Sequence, residues 1–115
     1  MGAIGLPGDL SSMSRFVRGA FTRLNSVCGD TENDAVSQFF HILHSVSQTN
    51  GCVRVGDSFE KTLYSSCCNT DKGVYYYTTY NNNQVSAVCM YSENLDNNKL
   101  IIYNLTSEQN INYQN

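Results

Sequence analysis

The run Val74-Tyr75-Tyr76-Tyr77-Thr78-Thr79-Tyr80 constrains the fold more than any other part of this chain. β-Branched and aromatic side chains suit a pleated surface, so the run reads as a strand. Turn chemistry bounds it on both sides. Asn69-Thr70-Asp71-Lys72-Gly73 precedes it, and Asn81-Asn82-Asn83, which tolerates left-handed backbone, follows it. Phe59 to Cys68, rich in Thr, Tyr and Ser, and Gln84 to Met90 are its expected antiparallel neighbours. In the latter, Val85, Ala87 and Cys89 share one face, and Ser86 and Val88 the other. Leu100 to Tyr103 is read as a fourth strand. The central run is apolar or aromatic on both faces, the pattern of a sheet covered on both sides.

Before this meander the period changes from two to about 3.6. Met13, Phe16, Val17, Ala20, Phe21 and Leu24 form one apolar stripe of a first helix, with Ser11 or Ser12 as its cap. Arg15 lies almost opposite the stripe; Arg18 and Arg23 flank it. Thr31-Glu32-Asn33-Asp34 resembles a capping box with Asp in place of Glu, and it opens a second helix. The acidic side chains there meet the positive end of the helix dipole. Val36, Phe39, Phe40, Leu43 and Val46 form that helix's buried stripe, and Asn50-Gly51 is expected to stop it. The short Cys28-Gly29-Asp30 link makes the two helices antiparallel neighbours. The expected class is therefore α+β, two antiparallel helices packed on an antiparallel β-meander. Residues 1–12 read as loop, 13–50 as the two helices, 52–105 as strands and 106–115 as a polar tail that frays. A two-helix layer covers one sheet face only, and a meander has two open edges. The missing cover is expected from a partner or from further polypeptide.

Composition narrows the class of function. At 115 residues, 41% hydrophobic and 15% charged, the chain is one folded segment rather than a solvated disordered one. Seven basic and ten acidic side chains leave a net charge of −3, which argues against a nucleic-acid partner. No apolar run approaches membrane-spanning length, and Met1 to Gly8 has no signal-peptide pattern, so a cytoplasmic location is expected. Leu6 stands where a myristoylation signal needs Ser or Thr. Cys28, Cys52, Cys67, Cys68 and Cys89 form an odd set without C-x-x-C spacing, read as reduced structural thiols. His41 and His44 lie three apart on one helix side, but no third ligand accompanies them, so no metal and no cofactor are expected. Asp9 reads as a loop residue that supports the first helix. The tyrosines of the central run read as sheet packing, and Asn104-Leu105-Thr106 matches a glycosylation acceptor with no other sign of secretion. From composition alone, Arg15 is a solvated charge on the outer helix face.

Four segments carry a resemblance. They are Gly5-Leu-Pro-Gly-Asp-Leu-Ser-Ser-Met-Ser-Arg-Phe-Val-Arg-Gly-Ala-Phe21, Val36 to Leu43, Tyr64 to Tyr77, and Glu93-Asn94-Leu95-Asp96. In this order they resemble the choloylglycine hydrolase family, which contains bile salt hydrolases and penicillin V acylases. Ser65-Ser66-Cys67-Cys68-Asn69 looks closer to the bile salt hydrolases. The resemblance implies an N-terminal nucleophile hydrolase fold, two antiparallel sheets between two helical layers (αββα), of which this chain is the C-terminal third. It also implies cleavage of the amide that joins a steroid acid to glycine or taurine, so a conjugated bile acid is the expected substrate of the complete enzyme. In the family the nucleophile is a cysteine at residue one, whose own α-amine serves as base.

Here Met1-Gly2 stands at the start, and the upstream Arg, Asp and Asn positions of the family site have no counterpart. Arg15, in Ser14-Arg15-Phe16, is the one family active-site position present. In the family this arginine lies beside the nucleophilic sulfur, where a guanidinium favours the thiolate. The expectation is a chain inactive by itself that acts with a missing N-terminal portion, or self-associates through its open sheet edges. In the isolated chain Arg15 is expected to point at water. The alternative reading is a small non-catalytic α+β module that binds an amphipathic ligand or a protein.

Overall fold

The computed structural model describes residues 2–115, and Met1, the first residue of the expected opening loop, lies outside the described residues. The class is α+β. The elements run α1 (Ser12–Asn25), α2 (Glu32–His44), β1 (Val53–Val55), β2 (Ser58–Glu60), β3 (Tyr64–Asn69), β4 (Val74–Thr79) and β5 (Asn82–Cys89), then a 3-10 turn at Met90–Ser92. They divide into two compact units, Met1–Thr62 and Leu63–Asn115.

In the first unit the caps follow local chemistry. Ser11 caps α1 by accepting from the Ser14 amide. Thr31 and Asp34 form a complete capping box on α2. The first half of α1 meets the far end of α2, because Arg15 Nε donates to the Val46 carbonyl over 2.9 Å. The two helices therefore run antiparallel.

Which way α1 faces departs from its hydrophobic pattern. Ser14 is buried, at 7% exposure, while Phe16 and Leu24 are 73% and 79% exposed. Gly19 lies close enough to α2's end that an added Cβ would touch Val46. The inward side of α1 is thus its small and polar side, and the stripe expected to be buried faces solvent. α2 keeps the expected sense: Phe40 is 4% exposed, with Phe39 at the edge of the stripe. The Phe39 ring stands edge-on to Phe40.

α2 stops at His44, six residues before the expected Asn50. Asn50 and Gly51 instead sit in a separate turn, where the Cys52 amide donates to Thr49 and Gly51 has a φ of +96°. The expected long strand from Phe59 to Cys68 is two strands. Ser58–Glu60 pairs with Val53–Val55 as a small hairpin, and Tyr64–Asn69 begins the meander. Thr62 is tied to Gln48 in both directions, its amide to the Gln48 carbonyl and its hydroxyl oxygen to the Gln48 amide, which closes the first unit.

The second unit is the meander, in the order β3-β4-β5. Cys68, Tyr75 and Val88 are register partners and share one face, as do Ser66, Tyr77 and Ser86. Asn69 Oδ1 accepts from the Asp71 and Lys72 amides and shapes the β3–β4 turn. A two-residue turn at Tyr80 and Asn81 joins β4 to β5, and an irregularity between Tyr77 and Thr79 shifts the register. The expected turn over 81–83 is therefore displaced, because Asn82 and Asn83 belong to β5.

Two further expectations are corrected. Leu100 to Tyr103 has strand-forming side chains but no ladder partner, and it is irregular. The segment after it does not fray throughout. Thr106 donates its amide to Tyr77 Oη over 3.2 Å and accepts from Thr79 Oγ1 over 3.1 Å. Gln109 Oε1 accepts from the Asn83 amide over 2.9 Å. This strap lies over the Tyr77 face, and Tyr77 is 6% exposed. The chain's own C-terminal segment thus supplies part of the cover that β4 demands.

Candidate functional site

The first unit places Arg15 where α1 crosses the end of α2. A helix ends with carbonyls that have no intrahelical donor and carry the negative end of the dipole. Arg15 and Arg18, one turn apart on α1, supply that donor charge. Arg15 Nε reaches the Val46 carbonyl, and Arg18 Nε approaches that of Ser45 at 3.5 Å. Arg15 is half-buried, so the expectation that it points at water is corrected. One turn further on, Gly19 keeps α1 close to the same Val46, where an added Cβ would already be in contact. The two Nη groups of Arg15 have no partner among the described residues. One nitrogen fixes the guanidinium, and the other two present a fork able to hold a carboxylate or to stabilise a thiolate.

A second network holds this arrangement. Arg18 Nη1 donates to the Asp9 carbonyl over 2.6 Å and to the Pro7 carbonyl over 3.2 Å. The Asp9 carboxylate accepts from the Ser11 amide at 2.9 Å and from the Ser14 hydroxyl. Hydrogen bonds from Ser11 and then Ser14 lower the Asp9 pKa from 3.8 to about 2. Asp9 thus supports the start of α1, as its loop position suggests. Arg18 is more than the flank charge that spacing implies: it ties the Pro7–Asp9 loop to α1 and α2. Helical periodicity could place Arg18 but could not reveal carbonyls brought to it by the loop.

The remaining candidates do not join Arg15. Among the described residues no group of three or more His, Cys, Asp and Glu side chains is placed to hold a metal ion. His41 and His44 are both on α2's last turns, and His44 stacks obliquely near Phe40. All five cysteines are unpaired. Burial, and then the neighbouring Cys68, push the Cys67 thiol pKa up, so it is a poor nucleophile. A hydrogen bond with Ser92 lowers that of Cys89. No helix among the described residues is long and apolar enough to cross a membrane.

Comparison with known proteins agrees with the resemblance. The family model for linear amide C–N hydrolases of the choloylglycine hydrolase family matches residues 1–103. A bile salt hydrolase/transferase from Lactiplantibacillus plantarum is 61% identical over 94% of this chain and 34% of its own length. One from Clostridium perfringens is 42% identical over 99% of this chain and 35% of its own length. A crystal structure of a conjugated bile acid hydrolase variant from Clostridium perfringens superposes with a TM-score of 0.86 at 39% identity, covering all of this chain and 35% of that one. Penicillin V acylase from Agrobacterium tumefaciens shares the fold, with a TM-score of 0.66 at 20% identity over 79% of this chain and 29% of that one. The chain thus spans about a third of the length of the curated relatives it matches. With its matched residues running from the opening loop through the meander, the chain belongs to the choloylglycine hydrolase family of linear amide C–N hydrolases.

Proposed function

We propose that this chain is the C-terminal part of an amidase that cleaves glycine- or taurine-conjugated bile acids, and that Arg15 belongs to its reacting site. The observation that carries the reading is the 61% identity to a bile salt hydrolase/transferase over nearly the whole chain but only a third of that relative. The exposed apolar face of α1 supports it physically. Met13, Phe16 and Leu24 stand in water at a cost of about 1.5–3 kcal/mol each relative to burial. That face, with the edge strands β3 and β5, is where the remaining polypeptide packs or a second copy associates. Five unpaired thiols support a reducing, cytoplasmic setting.

In this reading the remaining polypeptide brings a cysteine nucleophile to the Arg15 fork. The guanidinium favours the thiolate, which attacks the amide carbonyl. Glycine or taurine leaves, and water releases the bile acid from the acyl-enzyme. Arg15 contributes fixed charge rather than a proton, because guanidinium does not titrate in this range.

The test pairs two assays. Incubated alone with glycocholate or taurocholate, the purified chain is expected to give no turnover; turnover above a no-enzyme control overturns the split of the site. Mixed with a separately produced N-terminal two-thirds of the Lactiplantibacillus plantarum relative, it is expected to restore hydrolysis. Arg15→Ala should then lower kcat by about 100-fold or more, the scale of losing one fixed electrostatic donor. An unchanged kcat removes Arg15 from the site.

A further inference from the structure

Val46, whose carbonyl anchors Arg15, stands two residues before Gln48. Gln48 is 6% exposed. Its backbone is tied twice to one residue. The Gln48 amide donates to Thr62 Oγ1 over 2.9 Å, and its carbonyl accepts from the Thr62 amide over 3.0 Å. Its side chain reaches a different part of the first unit. Nε2 donates to the Leu10 carbonyl over 3.3 Å and approaches Glu60 Oε2 at 3.4 Å. Leu10 directly precedes Ser11, the cap of α1.

The same two stretches of chain are thus joined at two points. Arg15 runs from α1 to Val46, and Gln48 runs back to the residue before the cap. A single bond from Arg15 Nε lets the guanidinium move with its acceptor. The second tie fixes how far that acceptor stands from the first turn of α1.

Gln48 also carries a defect that stability alone would remove. Its Oε1 is buried and has no hydrogen-bond partner among the described residues. A buried acceptor left unmade costs folding free energy, and a methionine of similar length would avoid that cost. The position therefore needs the donor half of the amide, the half that holds Leu10.

We propose that Gln48 is a positioning residue of the reacting site: by fixing the Val46 carbonyl against the start of α1, it aims the Arg15 guanidinium. The proposal rests on the reading that places Arg15 in that site. Gln48 acts through Val46 and brings no charge of its own. Misplacing a reacting group by about 1 Å can cost about 100-fold in rate, so a tether of this kind has a measurable effect.

Gln48→Met keeps the side chain's length and removes both its donor and its orphaned acceptor. In the full 115-residue chain, solvent exchange of the Arg15 Nε–H, followed by nuclear magnetic resonance, should quicken by about tenfold or more in this variant. Two references should stay within about twofold: the Phe40 amide of α2, and the Arg54 Nε–H, which donates to the Gly56 carbonyl over 3.0 Å. An unchanged Arg15 rate overturns the proposal, because Arg15 is then fixed without Gln48. Equal quickening at all three overturns it too, because Gln48 is then a general stabiliser. Gln48→Asn, one carbon shorter than the Leu10 contact requires, carries the same expectations should the Met variant fail to fold.

Reconstituted with the N-terminal two-thirds of the Lactiplantibacillus plantarum relative, Gln48→Met should lower kcat by about tenfold or more and leave KM within about twofold. Added to Arg15→Ala, it should cost less than about a further twofold, since its effect runs through Arg15. Losses that multiply in the double variant overturn the proposal. A mixture that gives no hydrolysis, or an Arg15→Ala without effect, counts against the proposed function, and the exchange comparison on the chain alone then decides the role of Gln48.

Discussion

α1 and β4 are both written as buried elements, yet only β4 is covered. α1 carries six apolar residues on one helical face and turns that face to solvent, burying Ser14 instead. β4 is apolar or aromatic on both faces and is buried at Tyr77 and, on the other face, at Thr78, while Tyr75 near its start stays 38% exposed. The difference lies in what the chain brings back. The segment around Thr106 returns over the Tyr77 face and bonds to it. Among the described residues nothing comparable lies over Phe16 and Leu24. A hydrophobic period records the burial that a face was selected for; closure within reach of the local chain decides whether it is met.

Two phenylalanines of the first unit put that difference to its largest test. Phe40→Ala removes a 4% exposed side chain from α2 and should cost about 3–5 kcal/mol. Phe16→Ala removes one that is 73% exposed and should change stability by less than about 0.5 kcal/mol. Urea midpoints followed by far-UV circular dichroism give both values. In the reconstituted mixture the ranking should narrow, because Phe16 then becomes an interface residue. A Phe16→Ala chain that reconstitutes as well as the unaltered one would break the link between the exposed stripe and the missing cover.

A glycine of the second unit gives the next effect. Gly73 closes the β3–β4 turn at a φ of +60°, and a Cβ there would lie 2.7 Å from the Tyr91 ring. Gly73→Ala should therefore cost about 1–3 kcal/mol from backbone strain, before the ring's displacement is counted. The loss should appear in the tyrosine near-UV signal of the meander. If the helical signal melts with it, the two units unfold as one; if not, they unfold separately. An unchanged tyrosine signal would mean that the turn relaxes around the new methyl group.

Local chemistry was the legible part of this molecule. Thr31 with Asp34 announces the capping box, Ser11 the first cap, and Asn69 to Gly73 the turn before β4, because each acts within five residues. The Arg15 position was legible only through family resemblance. Its tether, the Val46 carbonyl, lies 31 positions away in sequence. Sequence separation also hid the role of Arg18, whose acceptors are the carbonyls of Pro7, Asp9 and Ser45. Leu100 to Tyr103 misled because propensity measures fit to a pleated surface and does not provide a neighbouring strand.

The smallest expected effect concerns the loop before α1. Asp9 has its pKa lowered to about 2 by the Ser11 and Ser14 hydrogen bonds, against 3.8 for the free side chain. A carboxylate depressed in the folded state adds stability that is fully present above the unfolded value and is lost as pH falls through the folded one. The Asp9 contribution should therefore be complete above about pH 4 and should disappear between about pH 4 and pH 2. Other carboxylates titrate in the same window, so the informative quantity is a difference. The stability gap between the unaltered chain and Asp9→Asn should shrink as pH falls from 5 to 2, with the Ser11 and Ser14 amide resonances following the same titration. Because Asp9 is exposed, the gap should be small and should narrow further in high salt. A gap that stays constant across the window would mean that Asp9 holds the start of α1 through shape alone. In that case the Arg18 bonds to the Pro7 and Asp9 carbonyls, which do not titrate in this range, would be what fixes the loop against α1.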